Sequence, residues 1–566
     1  MKVKLMMFLG LLLLFSATIS IRAQGIEWEI LSEEAMSLFQ KRHYHRAIPV
    51  AEKALDIAEK AVGPDHPSVA TSLNMLAELY RTQGQYTLAE PLYKRSLAIR
   101  EKTLDSDHPH MATILNNLGL LYNDQGHYAQ ADPLLRRALA IREKTLGPNH
   151  VDVAKSLSNL ALLYDNQAQY AQAEPLYKRS LAILKKTLGP DHTDLATSLN
   201  NLAELYRDQG QYTLSEPLYR RSLSIWEKAY GPDHPLVATS LNNLGLLYNN
   251  QGQYKKAEPL FKRSLTMKEK ILGPDHLDLS TSLANLATLY QDQGQYAQAE
   301  SLYKRSLEIL DKTLGPHHTS VATALNNLAD LYRIQGHYMK AEPLYTRSLA
   351  IRERLLAPDH PAIAISLGSL AMLYKDQGQY AQAEPLFERS LAIRERVYSP
   401  DHPDVAISLN NLAELYLTQG QYGKAEPVYK RALTILEKTL GPNHPQIAAI
   451  LHNLAGLYQL QGQYLQAEPL YKRALTIWEK THGPDHPSVA TGLGNLARLY
   501  NIQGQYAQAE PLYKRSLTIL EKNFGPNHPS VATILEKIAA FYRQTGRYYE
   551  AETLEKRVAA IRAIKR

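Results

Sequence analysis

The chain has 566 residues, no cysteine and a formal net charge of +7. Without cysteine it can hold no disulfide, no thiolate metal site, no cysteine nucleophile and no lipid on a mature N-terminal cysteine. Its basic residues recur as pairs such as Lys94-Arg95 and Lys178-Arg179 beside acidic ones. That is the pattern of a solvated helix face rather than the concentrated stripe that grips nucleic acid, so no nucleic-acid partner is expected.

In chain order, Lys2 and Lys4 precede an apolar run from Leu5 to Ile21 that closes at Ile21-Arg22-Ala23. A basic region, a short apolar region and a small residue at the cut read as a signal peptide over residues 1–23, cleaved before Gln24. The alternative is an uncleaved N-terminal anchor, for which a run interrupted by Ser16, Thr18 and Ser20 barely spans about 30 Å of hydrocarbon. The chain is therefore expected to be exported, to a periplasm or the exterior, with no stable membrane insertion after cleavage. Cleavage removes Lys2, Lys4 and Arg22 and no acid, so the +7 of the full chain becomes +4.

From Gly63-Pro64-Asp65-His66 a tetrapeptide returns, whole or nearly so, every 42 residues until Gly525-Pro526-Asn527-His528. An uninterrupted period of this size marks a solenoid of stacked supersecondary units. In residues 63–104, Asp65 is placed to cap a helix and Pro67 falls in its first turn. Leu73, Leu76, Ala77 and Tyr80 then supply one buried stripe. Gly84 suits the left-handed position that ends this helix. A second helix is expected from about Thr87 to Thr103, with Ala89, Leu92, Tyr93, Leu97 and Ile99 facing inward and Gly63-type residues closing it. Each helix should run to roughly 16 residues, about 24 Å at 1.5 Å per residue. Tyr80, Tyr86 and Tyr93 recur at helical spacing and read as core with their hydroxyls satisfied at the edge.

With Leu73, Leu76-Ala77, Tyr80, Gly84, Tyr86 and Ala89 so placed, the unit resembles a tetratricopeptide repeat. The 42-residue length, with Gly-Pro-Asp-His-Pro and Ala-Glu-Pro-Leu-Tyr-Lys-Arg, is similar to the kinesin-light-chain variety, also abundant in bacterial proteins. The resemblance implies an all-α, right-handed α-solenoid of about thirteen antiparallel helix hairpins. Residues 24–62 would form a degenerate first repeat and N-terminal cap, 63–528 the tandem repeats, and 529–566 the last repeat and C-terminal cap. No heptad coiled coil of the kind that joins kinesin light chains to heavy chains is present, so the motor-subunit role does not carry over.

The resemblance further implies that first helices line a concave face. Independently, Thr71, Asn74, Met75, Glu78 and Thr82 form a second stripe opposite the core stripe. The Met75 position becomes Asn117, Asn159, Asn201, Asn243, Asn285, Asn327, Asn411, Asn453 and Asn495. In the family such an asparagine can hold the backbone or carboxylate of an extended peptide; an equal alternative is that these amides bond neighbouring helices. The Glu78 position changes chemistry, through Glu204, Asp330 and Glu414 to Arg498. Glu78/Arg81 returns as Glu204/Arg207 and Asp330/Arg333, three units apart each time. Read for binding, that spacing repeats a groove patch about every 30 Å; read for structure, each pair is an i,i+3 ion pair.

The loop histidines, from His66 to His528, read as structural residues, since equivalents about 10 Å apart cannot share a zinc needing nitrogens about 2 Å away. There is no phosphate loop, no His-Glu-x-x-His and no nucleophile elbow. The expectation is a scaffold without catalysis or cofactor that binds peptides or partner proteins. The alternative is a structural spacer of the cell envelope, and an enzyme with an unrecognised site is the remotest reading. Oligomeric state stays open.

Overall fold

The computed structural model describes residues 26–40 and 43–563; the proposed signal peptide lies outside them. These residues form helices and no strands. The helices are α1 (26–40), α2 (Tyr44–Val62), α3 (Pro67–Thr82), α4 (Tyr86–Thr103) and so on to α25 (Pro529–Gln544) and α26 (Tyr548–Ala563). Each 42-residue repeat contributes two helices, in keeping with the α-solenoid read from the period. First helices are mostly 16 residues, as expected, while second helices reach 18 or 19. None is long and apolar enough to cross a membrane.

The described residues divide into two compact units, those up to 166 with 175–187, and 167–174 with those from 188 onward. In both, the core forms as the sequence stripes dictate. Val69, Leu73, Leu76 and Ala77 of α3 are buried against Ala89, Tyr93 and Ile99 of α4. Close approach of the helices rests on small residues: the Ser96 hydroxyl reaches the Ala70 carbonyl at 2.6 Å, and Ser264 and Ser516 do the same to Ala238 and Ala490. Tyr93 is fully buried, whereas Tyr80 stands at the edge with its hydroxyl on Glu52 at 2.7 Å.

Gly84 and Gly63 hold φ of 69° and 85° and turn the chain out of each helix. At the equivalent turn Ala168 takes φ 52°, the one non-glycine residue in this region among those described.

The capping residue differs from the one expected. His66, not Asp65, is the N-cap of α3, and its Nδ1 accepts from the Ser68 amide at 3.2 Å. The same bond recurs at His444 and His528. An imidazole nitrogen fills the role usually taken by a carboxylate or hydroxyl. Asp65 instead pairs with Lys102 at the end of α4, 3.2 Å away. The repeating basic pairs are also accounted for. Lys94 meets Glu90 one turn earlier at 2.7 Å, and Arg95 meets Glu59 of the preceding second helix at 2.6 Å.

Candidate functional site

First helices pack on the first helices of the next repeat, as α3 on α5 (Pro109–Asp124), a contact made by no pair of second helices to the same extent. The first-helix row is therefore the tighter, inner side, and it carries the polar stripe.

The asparagines on it form a ladder. The Asn117 amide donates to Asn74 Oδ1 at 3.2 Å, Asn159 to Asn116 at 2.8 Å and Asn243 to Asn200 at 3.0 Å. Asn285 donates to Asn242 at 3.1 Å and Asn453 to Asn410 at 3.0 Å; Asn495 meets His452 Nε2 at 2.7 Å. Each rung joins adjacent first helices. The ladder breaks where the preceding repeat offers no acceptor: Asn327 follows Ala284 and Asn411 follows Gly368. Asn201 follows Ser158, whose hydroxyl is engaged by Ser180 at 2.9 Å.

The acidic positions sit in ion networks. Glu78 accepts from Arg81 at 2.6 Å and from the Tyr93 hydroxyl at 2.5 Å, and Arg81 continues to Asp124 of the next repeat. Burial would raise the Glu78 carboxyl, but Arg81 and the Tyr93 hydroxyl together hold it below its ordinary value. The motif returns at Asp330, bonded to Tyr345 at 2.5 Å and 3.7 Å from Arg333, which pairs with Asp376 at 2.6 Å. Burial wins there and pushes the Asp330 carboxyl up. At Glu204 the outer acid is replaced by Asn250, and Arg207 turns to its own neighbour Asp208 at 2.8 Å. Glu414 takes the buried Lys375 at 2.5 Å. The i,i+3 pairs were legible in the sequence. Tyr93, Asp124 and Lys375 were not, because they come from other helices.

Arg498 breaks the pattern. It is exposed, and among the described residues no carboxylate pairs with it. Beside it Lys537, which occupies the asparagine position of the last repeat, donates to Asn495 Oδ1 at 3.0 Å. Burial and the Arg498 charge lower the Lys537 ammonium, and burial with the Lys537 charge pushes His452 down to about 4.

Lys537 also borders a cleft of about 290 Å³ lined by Gly494, Ser516, Leu520, Phe524 and Ile534. In five other repeats the Leu520 position holds a cation that reaches the inner face from behind, while Leu184, Leu310 and Leu436 repeat the leucine. Arg100 donates to Thr71 at 2.7 Å, and Arg352 to Thr323 at 2.9 Å and Ser366 at 2.8 Å. With leucine there, and with Gly494 where a Cβ would stand 3.1 Å from Ile534, the space stays open, its apolar floor rimmed by the hydroxyls of Thr491, Ser516, Ser530 and Thr533.

Among solved structures, the chain is similar to nearly identical TPR-like repeats of a kinesin light chain from Podosopora anserina. That match has 30% identity, covers 36% of this chain and 98% of that one, and has a TM-score of 0.31. It is also similar to BtubC (BKLC) from P. vanneervenii, at 23% identity over 41% and 91% of the two chains with a TM-score of 0.33. A Rap protein complexed with competence and sporulation factor matches at 15% identity over 74% and 99%, with a TM-score of 0.43. A comparison with curated proteins gives no match. The tetratricopeptide repeat model matches in overlapping segments from 29–102 and 110–186 through 446–522 and 488–563. The family typically serves as non-catalytic scaffolds in protein interactions, and this chain, matched along nearly its whole length, belongs to the tetratricopeptide repeat family.

Proposed function

We propose that the inner face of the first helices binds an extended peptide segment of a partner protein, and that binding centres on the C-terminal repeats. The observation that carries this reading is the conjunction there of an apolar cleft with Arg498 and Lys537, cations that no carboxylate neutralises. An apolar side chain would enter between Leu520, Phe524 and Ile534. An acidic group beside it would meet the two cations, gaining from the partial desolvation already imposed on Lys537. Asn327 and Asn411, which have no rung to make, are the amides best placed to hold the peptide backbone. Specificity then resides in a few side chains on a common scaffold, without catalysis.

The test is capture of partners from the native host with the full chain and with Arg498→Glu/Lys537→Glu. Loss of partners in the double variant at unchanged helicity supports the reading, and full retention sinks it. A second reading, a spacer in the cell envelope, draws support from the ion pairs that tie second helix to second helix, from Arg95–Glu59 to Arg557–Glu521. It expects crosslinks from the second-helix face and none from Arg498 or Lys537. Export by the N-terminal segment belongs to either reading. N-terminal sequencing of the protein from its host decides it, with Gln24 expected first.

A further inference from the structure

Within the unit of residues 188–566, segments more than 230 residues apart in sequence meet, and always in the same way. The turn after α9 (Thr193–Asp208) lies on the loop before α21 (Pro445–Leu460): His444 Nε2 meets the Asp208 carbonyl at 3.1 Å. A Cβ on Gly210 would stand 2.8 Å from Pro445. One repeat on, a Cβ on Gly252 would stand 2.5 Å from His486, and one further, a Cβ on Gly294 would stand 2.2 Å from His528. Aromatic rings stack across the same line, Tyr212 on His482 at 6.0 Å and Tyr254 on Phe524 at 6.0 Å between centroids. The offset is 234 residues at each of the three glycine contacts, from 210 to 444, 252 to 486 and 294 to 528, or between five and six repeats of 42. Turn and loop thus form a seam, and glycine is the residue that lets them touch. The turns at Gly420 and Gly462 have similar φ, 73° and 74°, with nothing within 4 Å of a Cβ.

Histidine concentrates on this line. His482 and His486 lie 4.2 Å apart between centroids, and His444 adds its positive potential to His482. Burial chiefly, with the neighbouring histidines, pushes His482 down to about 4 and His486 to about 3, and burial lowers His444. The charged groups around the seam are already committed or cationic. Asp208 is held by Arg207 and Asp485 by Lys522, while Lys255 and Lys256 border the same cleft of about 430 Å³. Asp292, in the turn that seats on His528, accepts from the Asn249 amide at 3.1 Å and is pushed up by burial, so it favours its own neutral form over pairing with an imidazolium.

We propose that this unit is a latched coil, closed where the turns at Gly210, Gly252 and Gly294 seat on the loops at His444, His486 and His528, and that protonation of the seam histidines releases the latch. The sign follows from linkage. A histidine kept neutral by burial in the closed form regains its ordinary value of 6.5 when the seam opens. Closure is therefore favoured above that pH and opposed as pH falls from 6.5 toward the lowered values, with an effect on the order of tenfold per histidine at pH 5. Opening would lengthen the coil without melting any helix, since no helix hydrogen bond crosses the seam.

The absence of cysteine makes the test direct. Lys255→Cys/Asn523→Cys, on either side of the cleft and sparing the Lys522–Asp485 pair, carries a donor and an acceptor dye in the full chain. Energy transfer should be high at pH 7.5 and fall by pH 5, with the open fraction rising at least tenfold and helicity unchanged. His482→Phe/His486→Asn keeps a ring against Tyr212 and a side chain able to cap the following helix; with His444 and His528 still present, it should cut the rise in open fraction at pH 5 at least tenfold. Gly252→Ala/Gly294→Ala should open the coil already at pH 7.5, whereas Gly420→Ala/Gly462→Ala, with equal backbone strain, should not. Transfer that ignores pH, falls only together with helicity, or responds alike to both glycine pairs overturns the proposal.

Discussion

The inner faces around Glu78 and around Arg498 occupy the same position in the repeat and solve opposite problems. At Glu78 every charge is answered: the carboxylate by Arg81 and Tyr93, and Arg81 in turn by Asp124. At Arg498 and Lys537 the cations repel each other and Lys537 has only the Asn495 amide oxygen, beside an open cleft. A network that satisfies itself stabilises the stack and has little left to offer a ligand. A site that leaves two cations unanswered gives up stability, as binding sites commonly do.

Removing Arg81 should expose this contrast most strongly. Arg81→Ala strands two partly buried carboxylates and should cost about 2–3 kcal/mol, read as a lower urea midpoint, whereas Arg498→Ala should stay within about 0.5 kcal/mol. The Arg81 network also sets a pH dependence. Because the Glu78 carboxyl lies below its ordinary 4.5 in the folded chain, its contribution is complete above that pH. It is lost as pH falls through the lowered folded value. Glu78→Gln should flatten that acid limb of the stability curve; an unchanged limb would mean the network is not formed.

The asparagines sharpen the comparison at smaller scale. Asn243→Ala removes a rung and leaves Asn200 without its donor, for about 1 kcal/mol. Asn411→Ala, where no rung exists, should be silent in urea melts and visible only in partner binding. Equal costs at the two positions would mean that the ladder is not what separates them. One small effect has the opposite sign. Lys537→Met removes a partly desolvated cation and should raise stability by about 0.5 kcal/mol while weakening partner capture.

Much of this was legible in the sequence. The period counted the repeats, and helix limits fell within a few residues of those expected, because Gly84 and Pro67 admit few conformations. The cap was misplaced by one residue: aspartate is the usual choice, and only the backbone geometry brings the His66 imidazole nitrogen to the Ser68 amide. At the candidate site, Arg81 could be paired with Glu78 by helical spacing alone. Asp124 and Tyr93 could not, since their approach depends on how one hairpin packs on the next. The ladder was half legible. Asparagine at both stripe positions suggested rungs, but which of them fail depends on Ala284 and Gly368 in the preceding repeat. The seam was illegible for a deeper reason. His444 and His66 stand in nearly identical loops, yet His66 is exposed and His444 buried. What separates them is a small rotation per repeat, summed over five to six repeats, which no local pattern encodes.

The most direct test of the central claim measures the affinity of a labelled peptide pairing an aromatic side chain with flanking glutamates, for three full-length chains of equal helicity. The account predicts that Arg498→Glu/Lys537→Glu weakens binding at least tenfold, with a steep salt dependence in the parent chain, and that Glu78→Gln/Asp330→Asn leaves affinity unchanged. Retained affinity in the first variant, or loss confined to the second, would place recognition in the self-satisfied repeats and contradict it.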